Sequence, residues 1–267
     1  MKRVAIVLMV VGILGLGCSK KTEPVLEKSK SDTPGQAFQF NDSEIDPNFK
    51  VASRAKRQLK YFPEGTPTRA IQDLDDLLES YILNPKTPED KKYNDNLKSA
   101  VIHGTFDIRE LCRLALDKNW NERTKQEQEY FVQLMTHLLE KKAIFSKEQG
   151  QKGKSGGGGK ELYSIRYEGD QFLNPEKTQA QTRSLVSIPS ENLKIEISYK
   201  LKKLDGSWRI YDVIVDGASL LDNYKYQFDK IIAKDGYPTL VHRMESKLKA
   251  IGDEATNSLA PAKPDAR

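Results

Sequence analysis

Leu193, Ile195, Ile197, Tyr199 and Leu201 stand at every second position, and Asp205-Gly206 then leads into a second apolar run from Trp208 to Val215. Strict alternation is the mark of a strand with one covered face, and Asp-Gly is a two-residue hairpin turn. A lone hairpin is marginal in water, so the rest of the chain must supply its cover. The register has two solutions. A two-residue turn puts Trp208, Ile210, Asp212 and Ile214 on the face of Leu201 and Tyr199, whereas one extra residue puts Tyr211, Val213 and Val215 there. The longer turn is expected, because it keeps the Asp212 carboxylate off that face. Both faces of the second strand are largely apolar, so a sheet covered on both sides is expected.

Further strands precede this hairpin. Tyr163, Ile165 and Tyr167 alternate, and the segment ending at Val186 and Ile188 has an extended pattern. Ahead of them lie four helical patterns. Residues 66–83 start at Thr66-Pro67 and carry Ile71, Leu74, Leu78, Tyr81 and Ile82 on one stripe. Thr87-Pro88 opens a second helix with Tyr93, Leu97 and Val101. Asp107 with Glu110, and Thr124 with Glu127, stand at capping-box spacing ahead of two more. The last of these is long, carrying Tyr130, Phe131, Leu134, Met135, Leu138, Leu139 and Phe145. After Gly217 one helix carries Leu220, Leu221, Tyr224, Phe228, Ile231 and Ile232, and another carries Leu240, Val241, Met244 and Leu248. Helices, then a strand meander, then helices define an α+β chain.

The ends read differently. Residues 1–17 combine Lys2 and Arg3 with an apolar run from Val4 to Leu16, too short to span a bilayer comfortably and laid out as a signal peptide. Cys18 directly after Gly17 resembles a bacterial lipobox, in which the cysteine becomes lipidated; a plain secretory signal is the alternative. Residues 18–65 then form a lipidated cysteine and flexible tether, with a root-mean-square reach of roughly 30 Å over its polar first part. Its end, from Phe49 to Phe62, mixes bases with apolar residues and is either a basic helix on anionic lipid or the approach to the domain. The folded domain is expected over residues 66–250, and residues 251–267 form a polar tail. Losing Lys2 and Arg3 lowers the formal charge of +5 by two, far from a nucleic-acid binder's clustered excess.

The inventory for catalysis is thin. His103, His137 and His242 sit in no metal-ligand spacing, and if Cys18 is lipidated Cys112 has no disulfide partner. His137 falls beside the apolar stripe and reads as exposed decoration. "GQKGKSGGGGK" lacks the first glycine of a phosphate loop, Glu148 standing there instead, and reads as a linker. Asp212 and Asp216 are a candidate carboxylate pair, or simply groups that accept from backbone amides near a strand end and helix start. No enzyme, metal or cofactor is expected.

Two long blocks carry a resemblance. Trp208, Tyr211-Asp212-Val213, Gly217, Ser219, Leu220-Leu221, Asn223-Tyr224 and Gln227-Phe228 closely resemble the C-terminal signature of the MlaC family, the toluene-tolerance type auxiliary proteins of a bacterial ABC system for phospholipids. Phe106-Asp107, Ala115-Leu116, Trp120, Thr124, Glu127, Phe131, Leu134 and Leu138-Leu139-Glu140 are similar to that family's helix pair. The resemblance implies amphipathic helices, a curved antiparallel sheet and C-terminal helices around an apolar cavity that holds the acyl chains of a bound phospholipid.

It further implies a monomeric, non-enzymatic carrier in the periplasm; typical members are soluble shuttles, and the lipobox-like Cys18 and long tether, which add an anchor here, depart from that pattern. Its partners would be phospholipid, a membrane-bound ABC transport complex and an outer-membrane lipoprotein complex, with no nucleic acid. The expected lining comes from Phe131, Met135, Leu138 and Leu139 of the long helix, and from Ile195, Ile197, Tyr199, Tyr211 and Val213 of the sheet. Leu220, Leu221, Tyr224 and Phe228 complete it. Trp208 and Gly217 are expected to be structural, and Lys225, Arg243 and Lys247 to meet a headgroup or membrane. An envelope-anchored interaction module without transport, or an enzyme using Asp212 on a lipophilic substrate, are the other classes.

Overall fold

A computed structural model describes Asp46, Phe49 and residues 60–78, 80–82, 85–142, 164–189 and 192–257. The signal peptide, Cys18, most of the tether, Phe145, the glycine run at 156–159 and Tyr163 lie outside the described residues.

The helices begin where capping chemistry places them. Helix α1 (Pro67–Leu78) starts with Pro67 after Thr66, whose Oγ1 accepts from Arg69 N. In α2 (Pro88–Thr105), Thr87 and Asp90 cap each other reciprocally. Asp107 accepts from Glu110 N at the start of α3 (Ile108–Leu116), but the Glu110 carboxylate does not return the bond, because it is taken by Arg113 and Lys202. A short α4 (Lys118–Asn121) leads to α5 (Lys125–Lys142), where Thr124 and Glu127 complete a capping box.

Helix α1 ends at Leu78, before the Tyr81 and Ile82 expected on it. Ser80 turns back onto Leu77 O through both its amide and hydroxyl, and Asn94 clamps Ile82 by donating to its carbonyl at 2.7 Å and accepting from its amide at 2.8 Å. Tyr81 is still buried.

Five strands form one antiparallel meander in sequence order: β1 (Ser164–Phe172), β2 (Gln179–Ile188), β3 (Leu193–Leu204), β4 (Ser207–Val215) and the two-residue β5 (Ala218–Ser219). The β3–β4 turn is short, with Leu204 opposite Ser207 and positive φ at Asp205 and Gly206. The expected longer turn is therefore corrected. Yet the expected face is reached by another route. Leu201 faces Ile210, Tyr199 faces Val213, and Tyr211 between them is the extra residue of a β-bulge. A second bulge, at Glu168 and Gly169, interrupts β1. Bulges bend the strands that carry them, which accounts for the curved sheet.

One sheet face, carrying Ile165, Tyr167, Val186, Ile195, Ile197, Tyr199, Leu201 and Val213, packs against α1. Thr68 fastens that contact: its amide and hydroxyl donate to Asp170 at 2.8 and 2.6 Å, and its hydroxyl lies 2.7 Å from that of Thr182. Among the described residues the opposite face is covered mainly along β4, by α3 and α6; Arg183 and Glu196 on β2 and β3 are exposed, so the expected two-sided cover is partial there. Phe106 bridges to Ile210 and Ala218 pairs with Val215, closing the outer edge of β4. Helix α6 (Leu220–Asp235) follows at once, capped by Ser219, and Gly236 at φ +81 turns the chain into α7 (Tyr237–Asn257). That last helix continues into the stretch expected as a polar tail. Helices α5 and α7 pack on each other and on α3 and α6.

Candidate functional site

The expected lining residues divide between two neighbourhoods of one continuous core. On the helical side, the Phe131 ring of α5 meets Phe228 of α6 edge-on at 5.5 Å, and Tyr224 stacks on Phe228 at 5.7 Å. Met135, Leu138 and Leu139 continue the buried stripe of α5. Helix α5 finds its main neighbours among α2, α3 and α7, and Phe131 reaches α6 through Phe228. On the sheet side, Ile195, Ile197, Tyr199 and Val213 share one face, with Tyr199 directly opposite Val213. Tyr211 occupies the bulge, while Leu220 and Leu221 open α6 just past the β4–β5 corner. All of these side chains are buried.

Few polar atoms interrupt this core. Burial pushes the Tyr199 hydroxyl far up, although Ser184 hydrogen-bonds it. The Tyr224 and Tyr237 hydroxyls are buried without a hydrogen-bond partner among the described residues, and burial pushes both up as well. Tyr237 was not among the expected lining residues, although its ring lies 6.1 Å from Phe131 and the Arg123 guanidinium sits 4.6 Å from its centroid. Its place directly after Gly236, at the start of a helix, was the available signal. Cys112 is free and fully buried, and burial pushes its thiol up strongly.

The candidate acid has a different occupation. Asp212 accepts from the Ser219 hydroxyl at 3.0 and 2.9 Å and from Leu221 N at 3.0 Å, and Lys200 Nζ lies 3.3 Å away. Asp216 accepts from Glu196 N at 3.0 Å. Asp212, in the second half of β4, and Asp216, just past its end, each accept from a backbone amide, and they do not form a pair. His137 is no decoration: its Nδ1 lies 3.2 Å from Glu140, whose other oxygen is 3.1 Å from His103 Nε2. Burial would raise the Glu140 carboxyl, but hydrogen bonds from His103, His137 and Ser99 outweigh it and hold the group at about 2. This cluster ties α2 to α5. Among the described residues no group of His, Cys, Asp and Glu is arranged to hold a metal ion.

Of the basic residues expected to meet a headgroup, Lys225 is paired with Asp117 at 3.0 Å and Arg243 with Asp235 at 2.8 Å. Lys247 sits on α7 beside the buried Leu248. No helix among the described residues is long and apolar enough to cross a membrane.

Comparison with known proteins follows this geometry. The fold is similar to that of the phospholipid-binding protein from Ralstonia solanacearum, whose structure was determined in complex with a phospholipid. The TM-score is 0.51 at 17% identity, over 68% of this chain and 97% of that one. No curated protein matches the sequence. The family model described as MlaC protein matches residues 72–246, a span that contains both resembling blocks almost entire and every expected lining residue. The chain belongs to the MlaC family.

Proposed function

We propose that this protein is a phospholipid-binding carrier that holds acyl chains in its apolar interior and transfers lipid between envelope membranes or membrane complexes. The observation that carries this reading is the family match, whose span encloses both the aromatic cluster of α5 and α6 and the apolar sheet face. The phospholipid in the Ralstonia protein of similar fold supports it. So does the chemistry of the interior, where apolar side chains are abundant and the candidate acid is engaged with backbone, Ser219 and Lys200. Binding suits such an interior better than catalysis.

Removing a methylene from water contributes about 0.8 kcal/mol, so two acyl chains bring a gross gain on the order of 20 kcal/mol. Lost freedom on association consumes part of that gain. Ile195, Ile197, Tyr199, Tyr211 and Val213 would meet the chains from the sheet, and Phe131, Met135, Leu138, Leu139, Leu220, Leu221, Tyr224 and Phe228 from the helices. The carrier works in the periplasm, tethered through a lipidated Cys18, and exchanges lipid as a monomer with a membrane-bound ABC complex and an outer-membrane lipoprotein complex.

Purification without detergent followed by native mass spectrometry tests the reading. Near-stoichiometric phospholipid is expected, and it should be lost in Val213→Phe and Ile197→Trp variants that remain folded. A lipid-free protein that also takes none from vesicles overturns the carrier and leaves an anchored interaction module. The mutual packing of the lining residues, every one of them buried, is what that second reading rests on.

A further inference from the structure

Two turns of the sheet lie at the same end. Residues 173–178 join β1 to β2, Asp205-Gly206 joins β3 to β4, and Lys203 N donates to Thr178 O at 2.8 Å between them. This end exposes large apolar side chains on both faces. Phe172 shares a face with Trp208, its ring 6.3 Å away, while strand alternation sends Leu173 and Leu204 to the other side. Phe172, Leu173 and Leu204 are 43%, 42% and 44% exposed.

Two lysines flank the rings. Lys177 Nζ is 5.5 Å from the Phe172 centroid and Lys203 Nζ 6.0 Å from that of Trp208. The backbone of the longer turn is well satisfied. Asn174 Oδ1 accepts from Thr178 N and Gln179 N, Lys177 N donates to Asn174 O, and Leu173 N donates to Gln179 O.

We infer that this end of the sheet is a membrane-docking tip, which inserts Phe172, Leu173 and Leu204 into the interface of a bilayer containing anionic phospholipid. A protein partner laid on a sheet covers one of its faces. Apolar groups exposed on both faces of the same end suit a medium that receives the tip from all sides, as a bilayer interface does. Tied backbone groups lower the cost of entering it. Lys177 and Lys203 lie beside the inserted rings, where their long side chains reach phosphate. Glu176 and Asp205 in the two turns offset part of that charge, so apolar insertion carries most of the binding and the lysines set the preference for anionic lipid.

The test uses the mature chain from residue 18 with Cys18→Ser, so that neither signal peptide nor acyl group contributes, in flotation with vesicles of phosphatidylglycerol and phosphatidylethanolamine. Wild type is expected to float, with Trp208 fluorescence quenched by brominated lipid. Leu173→Asp with Leu204→Asp should weaken flotation about tenfold or more. Lys177→Glu with Lys203→Glu should remove the preference over phosphatidylcholine. Leu193→Asp is the control, since Leu193 is 41% exposed at the opposite end of the sheet, and it should float as wild type does.

Absence of wild-type flotation overturns the inference, as does equal flotation of the Leu173/Leu204 variant or equal weakening by Leu193→Asp. So does a tip that binds no vesicle yet is needed to capture a membrane protein complex. Phospholipid content, read on the same variants by native mass spectrometry, should not change, which keeps the carrier reading separately testable.

Discussion

Lys200 and Asp212 stand opposite each other across the β3–β4 ladder, with Nζ 3.3 Å from Oδ2, and Asp212 also receives the Leu221 amide that opens α6. A fully buried carboxylate thus joins a strand pair to the helix that follows. Asp212→Ala leaves a buried amide and a lysine without their acceptor and should cost about 2–4 kcal/mol in urea unfolding. Asp212→Asn, which keeps the shape and one acceptor, should cost less, about 1–2 kcal/mol. If Asp212→Ala unfolds at the wild-type midpoint, the fastening role is wrong.

The Glu140 cluster predicts an acid-sensitive contact between α2 and α5. A carboxyl held at about 2 in the folded protein, against an ordinary 4.5, contributes stability that is complete above about 4.5 and fades as pH falls toward 2. The contribution is about 3 kcal/mol at most. Glu140→Gln should lower stability at neutral pH and flatten the acid limb of a stability–pH profile. Parallel acid limbs for variant and wild type would remove the cluster from the account.

Tyr224 and Tyr237 carry buried hydroxyls with no partner among the described residues, a costly arrangement for a core. In lipid-free protein, Tyr224→Phe and Tyr237→Phe should each be neutral or stabilising by up to about 1–2 kcal/mol in thermal unfolding. Clear destabilisation by either would mean that the hydroxyl has a role in the folded protein beyond filling space.

Cys112 should be chemically silent in the native state. Its thiolate is disfavoured by complete burial, so alkylation by a maleimide should wait for unfolding and report its rate. Rapid labelling of the folded protein at Cys112 would show that the interface around α3 opens readily.

The fold was largely legible because its signals are local. Thr87-Pro88, Thr124 with Glu127, and the alternation from Leu193 to Leu201 each specify an element within a few residues. The hairpin register was not, although both solutions were visible. Leu201 obeys the short turn and Tyr199 the longer one, and only the bulge at Tyr211 reconciles them. That bulge delivers Asp212 to Lys200 and Leu221, contacts invisible to any window along the strand. The same limit applies to the site. Periodicity gave the buried stripe of α5 but not its neighbours, and His137 read as exposed decoration although it shares Glu140 with His103 of α2.

The two borders of the sheet have unequal fates. Phe106 and the two-residue β5 cover parts of the border along β4, so among the described residues the longest open border is that of β1, itself broken at Gly169. Among the described residues the sheet thus offers one long border and one that is short and interrupted. Border-to-border association through β1 joins two molecules and leaves no second long border from which a fibre could grow.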